Sequence, residues 1–280
     1  MPHLLLILLV FFTAPSLAAT EKSQPNLKAK HVLVLDDKGN VLVSKKADSP
    51  TPIASITKLM TAMVVLDAKQ NMRQKLTITK ADRDTLKLTG SRLKYGAKLT
   101  RKEMLRIALS ASENRAAHAL SRYYPGGKRA FIKAMNAKAK ALGMSKTRFR
   151  DPTGLNPGNI STARDLAVLV NAAMEYRFIR KASTTKKTFV RPFKNKKTME
   201  YWITNRFLRS TNWKWRIYLS KTGYIKEAGR CLVMRANTAG KTMTIVLLNS
   251  FGKLTPYGDS NRIRKWLGGG DRAPQVAWTH

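Results

Sequence analysis

A chain of 280 residues can bury a substantial core, as one large domain or as two interleaved subdomains. Its 53 Lys and Arg outnumber 16 Asp and Glu, giving a formal charge of +37 and a surface suited to anionic polymers rather than cationic ones. A hydrophobic content of 43% excludes a disordered chain, and the single cysteine, Cys231, excludes an internal disulfide and a cysteine-based metal site.

Residues 4–12 (LLLILLVFF) are an unbroken apolar run followed by Pro15 and a small-residue stretch through Ala19. That pattern predicts a secretory signal peptide over residues 1–19, and no later stretch approaches the ~20 apolar residues of a membrane helix. The expected location is therefore outside the cytoplasm, in the periplasmic or cell-wall space, with loose membrane association allowed. An exported protein does not meet the chromosome, so the charge points to an anionic envelope polymer and not to nucleic acid.

Residues 20–30 read as a polar leader. Residues 31–35 (HVLVL) and 41–44 are short β-branched runs joined by Asp36-Asp37-Lys38-Gly39-Asn40, a hairpin signal. From Ser55 the pattern turns helical, with Leu59, Met60, Met63, Val64 and Leu66 repeating at three and four. Thr100 and Glu103 form a capping box for a helix over 101–109. Residues 116–123 and 128–142 are further helices, the latter stopped by Gly143, and Ser161 is placed to cap a helix over 162–175. Strands are expected at 189–190, 216–219, 231–235 and 243–248, then a last helix through Ile263, Trp266 and Leu267. The predicted fold is α+β. An antiparallel sheet built from both chain ends lies beside a mostly helical subdomain at about 55–180, in one domain over 31–267 with a tail at 268–280. A cleft where sheet and helices meet is the natural site.

The chemistry starts at Ser55-Ile56-Thr57-Lys58. On a helix this spacing brings both side chains to one face, ~5–6 Å apart at Cβ. A serine hydroxyl needs a neighbouring base, and Lys58 can serve only with a pKa far below the ~10.4 of a free lysine. Burial and a second nearby cation both act in that direction. Serine is also a favoured helix cap, and the same S-x-x-K pattern occurs at Ser91–Lys94 and Ser183–Lys186. Two more elements add weight. Ser112-Glu113-Asn114 falls between two helices; its hydroxyl can relay a proton, and its amide can hold both a lysine and a substrate carbonyl. The S-x-N pattern recurs at Ser210–Asn212. Lys221-Thr222-Gly223 occurs once, at the predicted end of a strand, where the lysine offers a positive charge to a carboxylate and the glycine admits a substrate backbone. His31 and His118 lack the spacing of a zinc protease, and no cofactor or metal is implied.

Together and in this order, S-x-x-K, S-x-N and K-T-G are the serine acyl-transfer signature of penicillin-binding proteins and class A β-lactamases. The chain resembles the low-molecular-weight penicillin-binding proteins, D-alanyl-D-alanine carboxypeptidases and endopeptidases. The resemblance extends over roughly residues 27–267. It includes Ile53 through Met60, the run DPTGLN from Asp151 to Asn156, and KTGYIKEAGRCLV from Lys221. It implies a β-lactamase/transpeptidase-like fold, peptidoglycan as substrate and β-lactams as covalent inhibitors. By the same resemblance Ser55 is the acyl-ester nucleophile, Lys58 its proton acceptor and Ser112 the second active-site serine. Asn114, Lys221, Thr222, Gly223 and Tyr224 then bind substrate, with an oxyanion hole from the backbone N–H groups of Ser55 and Tyr224. The chain departs from the family at Ile225, where threonine is common.

No E-x-x-L-N motif is present to deacylate rapidly, so β-lactams are expected to act as slow suicide substrates. About 30 residues follow the last predicted strand, which by resemblance favours the shorter endopeptidase branch that cleaves D-alanyl crosslinks. A carboxypeptidase trimming terminal D-Ala is the alternative. A non-catalytic reading is a basic envelope-binding protein, supported by the acid-free stretch between Glu175 and Glu200, which carries Lys186, Lys187, Lys194, Lys196 and Lys197.

Overall fold

The structure, a computed structural model, describes residues 24–210 and 214–268. The expected signal peptide, and the tail beyond Gly268, lie outside the described residues.

In chain order the elements are β1 (His31–Leu35), β2 (Val41–Lys45), β3 (Thr51–Pro52), α1 (Lys58–Asp67), β4 (Lys75–Thr77), β5 (Lys98–Thr100), α2 (Arg101–Ser110), α3 (Asn114–Arg122) and α4 (Gly127–Ala141). They continue with β6 (Ile160–Ser161), α5 (Ala163–Met174), α6 (Arg177–Ala182), β7 (Lys187–Val190), β8 (Met199–Trp202), β9 (Arg216–Ile225), β10 (Gly229–Thr238), β11 (Lys241–Ser250) and α7 (Thr255–Trp266).

The principal sheet has the order β2-β1-β11-β10-β9 and is antiparallel throughout. β1 pairs with β11 from His31↔Leu248 to Leu35↔Thr244, which joins the two ends of the chain as expected. Both faces of this sheet are covered. Leu33, Val233, Val246 and Leu248 pack toward the helical block, while Val32, Val34, Leu232, Met234, Ile245 and Leu247 pack with Ile263 of α7. Two-sided burial explains why β1 and β11 read as continuous apolar runs rather than alternating ones. Residues 24–30 run on from this second layer: Leu27 and Ala29 are buried, and the Asp259 carboxylate of α7 accepts from the backbone of Lys28 and Ala29.

α1 is the hub of the helical block. Every residue from Lys58 to Val65 is buried, so its apolar repeat marks a helix enclosed on all sides rather than one with a solvent face. The capping box at Thr100 and Glu103 forms, with Thr100 N donating to Glu103 Oε2 at 2.8 Å and Glu103 N to Thr100 Oγ1 at 3.2 Å. The cap of α5 is Thr162 and not Ser161. Thr162 Oγ1 accepts from Asp165 N, while Ser161 lies in the β3–β6 ladder with its hydroxyl 2.7 Å from Thr147 Oγ1. Short hairpins β4–β5 and β7–β8 lie outside the main sheet. β9 continues well past Leu219 to Ile225, so Lys221-Thr222-Gly223 stands inside a strand rather than at its end.

Candidate active site

The turn before α1 sets the geometry. Residues 54–57 form a 3₁₀ turn in which Ser55 makes no capping bond, and the α-helix proper begins at Lys58. Ser55 is thus not the helix cap that its sequence position suggests. Ala54 is held at φ +46°, a conformation uncommon for a residue with a β-carbon. The neighbour that over-determines it is Gly154, at φ +85°, where a β-carbon would fall 1.8 Å from the Ala54 carbonyl oxygen. Gly154 belongs to the DPTGLN run, folded around Asp151. The Asp151 carboxylate accepts from the backbone N–H of Thr153, Gly154 and Asn156 and from Thr153 Oγ1. This loop aims the Thr153 carbonyl at Lys58.

Lys58 is 1% exposed. Its Nζ donates to Ser55 Oγ (2.9 Å), Asn114 Oδ1 (2.8 Å) and the Thr153 carbonyl (2.8 Å). Two of these partners can only accept. A neutral amine keeps two N–H groups and one lone pair. Asn114 and Thr153 take the two N–H groups, which leaves the lone pair facing the Ser55 hydroxyl. Burial lowers the Lys58 pKa to about 7, against the opposing carboxylates of Asp151, Glu113 and Asp84.

Ser112 sits between α2 and α3 at φ +60°, a second left-handed residue beside the cleft. The S-x-N motif divides its labour: Asn114 meets Lys58, while Ser112 Oγ accepts from Lys221 Nζ at 3.0 Å. Lys221 Nζ also donates to the Thr222 carbonyl at 2.8 Å. Lys221 is 1% exposed, and its pKa is well below that of a free lysine, first through burial and then through repulsion from Lys58. The expected cation thus sits in a dry site where burial and the neighbouring Lys58 both disfavour its charge. Thr222 Oγ1 donates to Thr204 Oγ1. β9 is an edge strand of the sheet, so one row of its backbone groups is available to an extended peptide.

The peptidase S11 family, described as D-alanyl-D-alanine carboxypeptidase, matches residues 18–252. The chain belongs to this family. It is 43% identical to a D-alanyl-D-alanine endopeptidase of Escherichia coli K12, with 94% of this chain and 85% of that one covered. It is 43% identical to a D-alanyl-D-alanine endopeptidase of Pseudomonas aeruginosa PAO1, over 95% of this chain and 89% of that one. The solved DD-transpeptidase of Streptomyces K15 superposes with a TM-score of 0.80 at 31% identity, covering 87% of this chain and 98% of that one. The α+β fold with a sheet from both chain ends is that of these enzymes.

In this S11 peptidase the serines of the other two S-x-x-K copies are engaged elsewhere, while Ser210–Asn212 lies partly outside the described residues. Ser91 Oγ donates to Glu113 Oε1, and Ser183 bonds to Ser220. His31 Nδ1 lies 3.1 Å from the Lys46 carbonyl. At His118, mostly buried on α3, burial lowers the imidazole pKa. Gly223 has a reason beyond substrate access. A β-carbon there would stand 3.0 Å from Ala54 Cβ and from Ser55 N, and 3.1 Å from the Ile53 carbonyl. The glycine lets β9 close on the nucleophile turn itself. Tyr224 is half exposed, with the Arg230 guanidinium 3.7 Å above its ring.

Sequence reasoning assigned no individual role to three residues. Asp151 and Thr153 lie within the family-like run, whose unbroken match was a usable signal. Thr89 has no motif around it. Its Oγ1 accepts from Asn114 Nδ2 (3.0 Å) and donates to Asp84 Oδ2 (2.7 Å). Because the carboxylate takes the hydroxyl proton, the Thr89 oxygen can only accept, and the Asn114 amide is turned with Oδ1 toward Lys58. One amide N–H remains for substrate.

Proposed function

We propose that this chain is a serine-type D-alanyl-D-alanine peptidase that cleaves peptidoglycan peptide stems through an acyl-enzyme on Ser55, with D-alanyl crosslinks as its main target. The observation that carries this reading is the buried Lys58 Nζ 2.9 Å from the Ser55 hydroxyl, with its other contacts made to two partners that can only accept.

Ser55 Oγ attacks the D-alanyl carbonyl carbon while its proton passes to Lys58 Nζ. The backbone N–H groups of Ser55 and Tyr224 hold the oxyanion. The C–N bond then breaks, and the leaving nitrogen receives the proton held by Lys58, relayed by the Ser112 hydroxyl, which leaves Lys58 neutral again. Water completes the cycle by attacking the ester while Lys58 takes its proton, which passes to Ser55 Oγ as the ester C–O bond breaks. Asn114 holds the acyl side of the substrate, and Lys221 with Thr222 receives the carboxylate beyond the scissile bond. An arriving carboxylate supplies the counter-charge that buried Lys221 lacks and so favours its charged form. β-Lactams enter the same path and stop at the ester.

The endopeptidase preference is supported by the two relatives of that name at 43% identity. Export is supported by the apolar run and small-residue stretch at the start of the sequence. An excess of +37 supports attraction to an anionic envelope polymer. The test is digestion of purified sacculi with mass identification of the products. Loss of crosslinked dimers with a matching gain of monomers is expected. Release of free D-alanine with dimers intact would instead make the chain a carboxypeptidase.

A further inference from the structure

We infer that the β7–β8 hairpin and a basic concavity at its tip form a second binding site, which grips a peptidoglycan strand outside the catalytic cleft. This rests on the reading of the chain as a peptidoglycan peptidase.

The concavity, about 380 Å³, is lined by Lys75 and Lys98 from the β4–β5 hairpin and by Arg191, Phe193 and Lys194 from the β7–β8 turn. The Lys98 N–H donates to the Pro192 carbonyl at 2.9 Å, so the two hairpins hold its walls together. Its cations come from two segments at least 93 residues apart (Lys98 to Arg191), and no carboxylate lines it. Among the described residues none of the four is in an ion pair; Arg191 reaches only Thr198 Oγ1, at 3.4 Å. Like charges gathered in a concave wall repel unless an anion joins them.

The hairpin connects this concavity to the cleft. At its base, Thr204 touches Thr222 beside Lys221. Along β7 the side chains alternate, with Thr188 and Val190 buried and Lys187, Phe189 and Arg191 exposed. Trp202 pairs across from Lys187 on the same outer face. Phe189 and Trp202 are 58% and 41% exposed, and the Lys187 ammonium lies 4.2 Å from the centre of the Trp202 ring. The one acid on this face, Glu200, is engaged by Lys187 at 3.2 Å. From base to tip the face thus offers aromatic rings, then cations, over roughly 20 Å of extended chain. Rings suit the apolar faces of sugars, and unpaired cations suit carboxylates. A glycopeptide strand carries both, whereas a simple polyanion would have no use for the rings. One stem in the cleft and the strand on the hairpin would act together through effective concentration.

The test uses full-length protein carrying Ser55→Ala, to stop turnover, in co-sedimentation with purified sacculi. One variant set neutralises the concavity (Lys75→Gln, Lys98→Gln, Arg191→Gln, Lys194→Gln) and another removes the rings (Phe189→Ser, Trp202→Ser). Each set is expected to weaken binding to sacculi about tenfold or more. Only the charge set should weaken binding to inorganic polyphosphate. With Ser55 intact, both sets should be acylated by a fluorescent penicillin within about twofold of the parent rate, since the variants lie outside the cleft and exposed charges are screened over ~8–10 Å. Unchanged sacculus binding in either set overturns the proposal. Loss in the charge set alone, parallel for sacculi and polyphosphate, reduces the face to a general polyanion surface and also overturns it. A parent protein that binds sacculi but resists penicillin would instead refute the catalytic reading and leave the second site standing.

Discussion

Gly223 of β9 and Ser55 of the turn before α1 meet backbone to backbone, so closely that a β-carbon on the glycine would stand 3.0 Å from the Ser55 nitrogen. The strand that offers the substrate its edge and the turn that holds the nucleophile are thus one packed unit. Gly223→Ala should shift that turn by a few tenths of an ångström. The expected result is a cost of about 1–3 kcal/mol in unfolding free energy. β-Lactam acylation should fall by about 10- to 100-fold, because reacting groups tolerate little displacement. Gly154→Ala is different in kind, since its β-carbon would overlap the Ala54 carbonyl. That variant should fail to accumulate as folded protein, as judged by circular dichroism.

Ser55 is expected to be the one acylated residue. Intact-mass spectra after benzylpenicillin should show a single adduct, mapping to the peptide that contains Ser55. An adduct retained in Ser55→Ala would remove this residue from the chemistry.

The acylation rate should depend on pH through Lys58. Only the neutral amine can take the Ser55 proton, and its pKa is lowered to about 7. Lower pH protonates the base, so the rate should fall below about pH 7 and level off above it. Lys58→Arg should abolish acylation at every pH, because a guanidinium stays charged in proteins. A profile flat from pH 5 to 9 would point to another proton acceptor.

Thr89 is expected to act through Asn114. Replacing it with valine removes the acceptor that turns the amide, a loss on the scale of one hydrogen bond and hence about tenfold in acylation rate. Thr89→Ser keeps the hydroxyl and should restore most of the rate. Equal effects of valine and serine, or a pH profile moved together with stability, would indicate a packing role only.

Salt should separate the two activities. Exposed charges are screened over ~8–10 Å near physiological ionic strength, whereas Lys58 and Lys221 are enclosed. Release of monomers from sacculi should drop steeply between low salt and ~0.5 M, while acylation by a small β-lactam changes little. An equal response of both would place the salt effect on the site or on stability.

The residues of the acyl-transfer set were legible in the chain because each sits in a short contiguous motif, and order along the chain supplied specificity that no single motif had. The apolar runs of β1 and β11 and the local caps were legible for the same reason, since their physics spans a few neighbours. Tertiary structure alone decided which copies count. Ser91-x-x-Lys94 satisfies the same spacing as Ser55-x-x-Lys58, yet Ser91 donates to Glu113 while Ser55 faces a buried amine. It also decided the protonation chemistry, because the Lys58 shift comes first from burial and its lone pair is aimed by Asn114 and Thr153, which are 56 and 95 residues away. The expected cap at Ser161 is instead Thr162, with the Ser161 hydroxyl engaged by Thr147 from a distant loop, and Thr89 had no local pattern at all. A sequence records which groups a chain carries and what their near neighbours favour. Which of them are dry, and which lone pair faces which proton, depends on contacts between distant segments that form only when the sheet closes on α1.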